Sequence, residues 1–175
     1  NYQWNLISDL SFFGYDVNYT DGNATSTHGW SSDPVVPAAI SNGVNVTLTA
    51  TLFGDHATFF ANNTAKQTLI TNLINLVQAR NANGVNIDFE GVPASEKTNF
   101  ANFMADLCDQ MHTAIPGSEV SMALYAVDWN NVFDFTILVP KVDLFIIMGY
   151  DYYYSGSSTA GPVDPLYSLT SGYDY

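Results

Sequence analysis

The chain is poor in cysteine and in positive charge, and each shortage removes a class of function. Cys108 is the only cysteine, so an internal disulfide and a cysteine-based metal centre are both excluded. Lys and Arg total 4 against 17 Asp and Glu, a formal charge of -13. A nucleic-acid binder needs a basic footprint, and an anionic membrane surface would repel this chain. A neutral polysaccharide would not, although acidity by itself also serves solubility. No window approaches about 18 uninterrupted apolar residues, so no membrane span is expected. No glycine-rich nucleotide-binding motif follows any apolar run. Asn1-Tyr2-Gln3-Trp4 has no initiator Met and no basic or apolar leader. It reads as a mature end or a cut piece whose export signal has gone, and a secreted or cell-surface location is expected.

What is present is apolar and aromatic. The 175 residues are 47% hydrophobic and 14% aromatic, enough for one substantial core and against disorder. Strand, loop and helix patterns then repeat. Leu10–Tyr15 reads as a strand, 18–33 as a polar loop, and Asp33-Pro34 as the start of a short helix ending at Asn42-Gly43. Val44–Phe53 is β-rich. Leu69, Ile70, Leu73, Ile74 and Val77 form one helical stripe within Thr64–Arg80. Val85–Phe89 is a short strand, and Ser95 is the expected N-cap of the helix carrying Phe100, Phe103, Met104, Leu107, Cys108 and Met111. Pro116-Gly117 stops that helix. Val120–Val127 is a strand, Asn131–Val139 a helix, Val142–Gly149 a strand, and Asp151–Tyr175 a long loop.

Strands alternating with helices imply parallel βαβ units. Apolar positions on both strand faces imply helices over the sheet. Polar or aromatic groups stand at successive strand ends: Asp88 and Glu90, Tyr125 and Asp128, Tyr150 and Asp151. That arrangement favours a (β/α)8 barrel, which works at the C-terminal ends of its strands, over a doubly wound sheet. A full barrel takes about 250 residues. Residues 1–175 are therefore expected to form part of a single barrel domain, about five strands. The open sheet edges are expected to pair with the rest of the barrel or with another chain.

The chemistry concentrates in Asn83-Gly84-Val85-Asn86-Ile87-Asp88-Phe89-Glu90. Residues 86, 88 and 90 share one face of a strand, and Val85, Ile87 and Phe89 share the other. Two carboxyls inside a barrel stand close together and away from water. Burial and a neighbouring like charge both favour a protonated carboxyl, which suits Glu90 to the role of general acid. An exposed edge strand bearing solvated acids is the alternative. A hard-ion site of oxygen ligands is another. His28, His56 and His112 are scattered, so no metal site and no cofactor are expected.

The same segment resembles the strand-four signature D-G-x-D-x-D-x-E of glycoside hydrolase family 18, the chitinase and endo-β-N-acetylglucosaminidase family. Asp88 and Glu90 match its last Asp and its Glu; Asn83 and Asn86 stand at its first two Asp positions. Met148-Gly149-Tyr150-Asp151 resembles the family's M-x-Y-D motif on strand six. Ser121–Tyr125 resembles its strand five, and Leu10–Tyr15 its strand two. The chain would then hold strands two to six, without strands one, seven and eight or the last-strand Trp. The resemblance implies a retaining glycosidase acting on β-1,4-linked N-acetylglucosamine glycans such as chitin. Glu90 would protonate the glycosidic oxygen. Asp88 would orient the substrate acetamido group, whose carbonyl attacks C1, and Tyr150 would hydrogen-bond that oxygen. Asn86, Met122, Tyr125, Met148 and Asp151 would line the site. Asn86 can hydrogen-bond Asp88 but cannot take up its proton.

Trp30, Trp129, Tyr152, Tyr153 and Tyr154 fall in strand-end loops and are candidates for packing on pyranose faces, or for filling the core. Two other functions stay open: a catalytically silent glycan-binding protein of the same fold, and a metal-dependent barrel hydrolase using Asp88 and Glu90. Asn18, Asn23, Asn45 and Asn62 each begin an N-glycosylation triplet, a pattern that arises by chance in an Asn- and Thr-rich chain.

Overall fold

Period-two alternation decides which face of each strand is covered. The fold is taken from a computed structural model that describes residues 2–165. Its strands are β1 (Asp9–Val17), β2 (Ala24–Ser26), β3 (Asn45–Leu52), β4 (Gly84–Phe89), β5 (Glu119–Tyr125) and β6 (Leu144–Met148). They form one sheet in the order β2-β1-β3-β4-β5-β6. β1 and β3 to β6 run parallel, and β2 is a short antiparallel addition at the end of β1. Each new parallel strand joins on the same side as the last. A doubly wound sheet reverses direction at a switch point. This order does not, and it is that of five consecutive strands of a (β/α)8 barrel.

One face of the sheet carries Val46, Leu48, Ala50 and Leu52 of β3, Val85, Ile87 and Phe89 of β4, and Val120, Met122 and Leu124 of β5, all buried. The helices α1 (Val35–Ser41), α2 (His56–Ala61), α3 (Asn63–Arg80), α4 (Lys97–Ala114) and α5 (Phe135–Leu138) supply the core's other side. Phe89 is the centre of an aromatic cluster. It stacks on Phe100 at 5.8 Å and Phe103 at 5.7 Å and meets Phe59 edge-on at 5.8 Å. Each such pair adds about 0.5–1.5 kcal/mol beyond area burial. The residue next to Glu90 is thereby held on three sides.

The opposite face is polar on β3 and β4, where the expectation of apolar residues on both faces missed; on β6 the same face carries Leu144, Ile146 and Met148, as expected. Thr47, Thr49 and Thr51 alternate with the apolar set along β3 and are buried beside Asn86, Asp88 and Ser121. Threonine suits the position because its β-branch favours a strand and its hydroxyl can be satisfied across the sheet. Two glycines allow close strand approach. A Cβ at Gly84 would lie 1.8 Å from the Glu119 carbonyl oxygen, and one at Gly14, in the β1 bulge, 2.3 Å from that of Thr49.

Several boundaries moved for local reasons. Asp33 caps from one position earlier than expected, its Oδ1 accepting from the Val35 N–H at 2.8 Å. Ser95 does not cap α4; it lies in a 3-10 turn, Ala94–Glu96, that precedes the helix. The Asn131–Val139 helix shrinks to α5, because Asn131 has φ +51 and Asp134 caps at Thr136. The short helix α2, capped by Asp55 Oδ1 at 3.0 Å from the Thr58 nitrogen, was not anticipated. Neither was β2, inside the 18–33 loop. The loop after Tyr150 is described as far as 165; the remainder of the expected 151–175 loop lies outside the described residues.

Beyond β6 no described element covers the sheet. Leu144 and Ile146 on one face and Ile147 on the other are exposed, although their neighbours on β5 are mostly buried. Among the described residues no helix is long and apolar enough to cross a membrane.

Candidate functional site

The C-terminal end of β4 places its acids at the mouth of the barrel arc. Asp88 is the last polar residue of the inner face, in register with Thr51 of β3, and is 6% exposed. Glu90 follows the strand, its backbone N–H donating to the Leu52 carbonyl at 3.0 Å. A cleft of about 500 Å³ opens there, lined by Glu90, Tyr125, Trp129, Met148, Tyr150 and Asp151, with Tyr152 at its side. Tyr125 and Met148 are register partners and share the inner face. The Tyr125 oxygen accepts from the Gly91 N–H at 2.6 Å, which fixes the ring and leaves its own proton to donate. Trp129 is 82% exposed. It adds nothing to the core, so its ring is available to pack on a ligand.

Electrostatics sort the polar groups. Burial, and then the Glu90 charge, push the Asp88 carboxyl from 3.8 up to about 6. Partial burial raises the phenols of Tyr125 and Tyr150, and the negative charges of Glu90 and Asp88 raise them further. Both phenols are therefore hydrogen-bond donors at neutral pH. Beneath Asp88 the sheet is neutral. Asn86 bonds sideways, its amide donating to Thr49 Oγ1 at 3.5 Å and its oxygen accepting from Ser121 Oγ at 3.2 Å. It does not reach Asp88, contrary to expectation, and Asp88 Oδ1 is buried without a hydrogen-bond partner.

This buried carboxyl sets a pH dependence of stability. Folded Asp88 keeps its proton up to about pH 6, whereas the unfolded residue loses it near 3.8. The native state then binds more protons across that interval, so its stability falls as pH rises through it. The full difference sets a ceiling of about 3 kcal/mol, which water entering through the mouth reduces to about 1–2 kcal/mol. Asp88→Asn is expected to raise the melting temperature at pH 8 and to leave it unchanged at pH 4. Thermal melts at the two pH values check this, and an equal effect at both would remove the charge from the account.

Not every expected residue is here. Met122 does not line the site. Three residues apart on a strand means opposite faces, so Met122 and Tyr125 cannot both look inward; Met122 pairs with Ile87 and Phe145 and is buried under the helices. Asn86 lies below the cleft, 4% exposed. Trp30 is fully buried, its indole N–H donating to the Leu76 carbonyl at 3.0 Å. Tyr153 and Tyr154 pack beside Gly161 and Gly156 of their own loop and do not line the cleft.

The remaining candidates have structural work. His56 is buried at the Leu52 carbonyl, and His112 bonds Asp143 at 2.8 Å. Burial lifts the Cys108 thiol to about 12, which makes it inert. Asn18, Asn23, Asn45 and Asn62 all bond to neighbouring groups: a turn, Asn72, Asp9 with Glu119, and the cap of α3. Among the described residues no group of three His, Cys, Asp or Glu could hold a metal ion. A pair that sequence reasoning missed is Asp16 and His28, 2.7 Å apart at the end of β1, with Asp16 also accepting from Thr51 at 3.2 Å. The alternation of Thr47, Thr49 and Thr51 was the available signal for it, since it marks the inner face.

Comparison with known proteins agrees with this geometry. A curated relative, named as a sporulation-specific glycosylase, YdhD of Bacillus subtilis, is 33% identical over 110 residues, 60% of this chain and 26% of its own. Its crystal structure superposes with a TM-score of 0.77 at 25% identity, covering 91% of this chain and 55% of that one. A chitinase from Trichuris suis gives a TM-score of 0.82 at 19% identity, covering 97% and 50%. The spore cortex-lytic enzyme SleL of Bacillus cereus gives 0.79 at 16% identity, covering 91% and 38%; at these identities the likeness of the last two is one of fold. The chain thus spans about a quarter of that curated relative and about half of the YdhD and Trichuris structures. The model of glycosyl hydrolases family 18 matches residues 43–175, well over half of the sequence and all of the cleft, and the chain belongs to that family.

Proposed function

We propose that the protein hydrolyses β-1,4-linked N-acetylglucosamine-containing glycans with retention of configuration, using the substrate's own acetamido group as nucleophile. One observation carries the reading: Glu90 and Tyr150 line the same cleft, with the buried Asp88 carboxyl close enough for its charge to act on Tyr150. Glu90 at the open mouth donates the proton to the leaving oxygen and later takes one from water. Asp88, beside it and shielded from solvent, orients the acetamido group. The Tyr150 phenol, kept protonated, donates to the carbonyl oxygen that attacks C1. Tyr125, Met148, Asp151 and Trp129 supply the walls, Trp129 as the surface for a pyranose face. Chitinases and a spore cortex-lytic enzyme among the structural neighbours support a glycan substrate of this class.

No metal enters this chemistry, so a chelator is expected to leave it intact. The β6 edge, which no described element covers and where Ile146 and Ile147 are exposed, is assigned to the remaining strands of the barrel or to another chain. A location outside the cell or on its surface belongs to the same proposal, since insoluble polymers of these sugars lie there. The test is to incubate the full-length protein with a chitooligosaccharide and with peptidoglycan, and to follow the first product by proton NMR. A β-anomer formed first is expected. An α-anomer overturns the retaining mechanism. Binding without cleavage would transfer the protein to the glycan-binding reading, which Asn86 at a signature Asp position favours.

A further inference from the structure

Asp88 needs a hydrogen-bond donor when it is ionised, and its own strand does not provide one. Its Oδ1 is buried and unpartnered. Asn86, one step deeper on the same face, is committed to Thr49 and Ser121. The neighbour in register is Thr51 of β3, also 6% exposed and on the same face. Register partners on adjacent strands stand about 4.8 Å apart, within reach of one side-chain rotation. The Thr51 hydroxyl donates to Asp16 Oδ1 at 3.2 Å, a long bond for an O–H donor. Asp16 does not depend on it, because Asp16 Oδ2 is held by His28 Nε2 at 2.7 Å.

We propose that Thr51 is a positioning residue whose hydroxyl turns from Asp16 to the Asp88 carboxylate whenever Asp88 is ionised, holding it against the substrate acetamido group. The inference rests on the proposed function for the role of Asp88. No proton is transferred: Thr51 rotates between staggered wells and exchanges one acceptor for another. The charged and titratable groups facing Asp88 are Glu90 just after its strand, Asp16 with His28 beyond Thr51, Tyr125 at the end of β5, and Tyr150 after β6. Of these only the two phenols and the imidazole can donate. The phenols lie toward the cleft, so among the described residues the donor on the β3 side of Asp88 is Thr51.

The test compares Thr51→Val, which keeps the β-branched shape, with Thr51→Ser, which keeps the hydroxyl. Carboxyl 13C NMR on the unliganded full-length protein reads the Asp88 titration directly, without any need for turnover. In Thr51→Val that titration is expected to move upward by about one pH unit, because the charged form loses a donor, and in Thr51→Ser to stay at the wild-type value. On a chitooligosaccharide Thr51→Val is expected to lose roughly tenfold to a hundredfold in kcat, the scale of a hydrogen bond to a charged group. KM should change less than about twofold, and Thr51→Ser should retain most of the wild-type rate. An unshifted Asp88 in Thr51→Val overturns the proposal, and so does equal loss in both variants, which would make the role one of packing. If the wild-type protein cleaves no chitooligosaccharide, the proposed function fails, while the NMR titration still decides for or against Thr51.

Discussion

Glu90→Gln is expected to abolish turnover of a chitooligosaccharide while leaving its binding largely intact. Gln keeps the shape and the neutral hydrogen-bonding capacity of a protonated Glu but has no proton to give the leaving oxygen. General acid–base groups contribute about 10²–10⁴ in rate, and no other carboxyl in the described cleft can replace this one. Asp88 is buried below it, and Asp151 comes from the far wall, after β6. Because Phe89 is locked among Phe59, Phe100 and Phe103, the substitution should not disturb the strand that carries it. Kinetics with a chitooligosaccharide and calorimetric titration of the same ligand check the two halves together. Near wild-type turnover in the Gln variant would remove Glu90 from the mechanism. Loss of binding in parallel with turnover would recast it as a recognition residue.

The second large effect concerns the substrate. An oligomer of glucose is expected to be cut at least about 10³-fold more slowly than the matching oligomer of N-acetylglucosamine, since a well-placed intramolecular nucleophile reaches effective molarities of 10⁵ M or more. The described cleft holds no replacement for that group. A retaining enzyme with its own nucleophile needs two carboxyls about 5–5.5 Å apart across the bond. Asp88 is the acid adjacent to Glu90 on the inner face, but burial pushes its carboxyl to about 6 and closes it off from solvent. Both features make it a poor nucleophile and a good positioning group. Parallel rate measurements on the two oligomers decide the matter, and comparable rates would require a protein nucleophile.

Much of this architecture could be read from local pattern, and the failures have physical causes. Parallel strands buried under helices announce themselves by dense apolar residues, and so Val85–Phe89 and its neighbours were found to within a residue or two. Helices with a continuous stripe, such as Asn63–Arg80, were equally plain. Short elements were not. The six residues of His56–Ala61 and the three of Ala24–Ser26 are too brief to establish a period, and only their tertiary neighbours hold them in shape. Ser95 carried the right chemistry for a cap, but the chain spends another turn in 3-10 geometry before α4 begins.

At the site, the sequence by itself determined which side chains stand together. Asn86, Asp88 and Glu90 must share a face because a strand repeats every two residues, and the same rule set Met122 and Tyr125 on opposite faces. What lies across from that face is a matter of register, which no single segment encodes. Only pairing β3 with β4 puts Thr51 beside Asp88 and Thr49 beside Asn86, and only pairing β1 with β3 brings Asp16 and His28 to Thr51. Burial was decided at the same level. Trp30 and Trp129 are alike as loop tryptophans in the sequence, yet one is sealed in the core and the other is 82% exposed at the cleft. The choice between them depends on which helices close over which loop, and that is fixed by contacts between residues far apart along the chain.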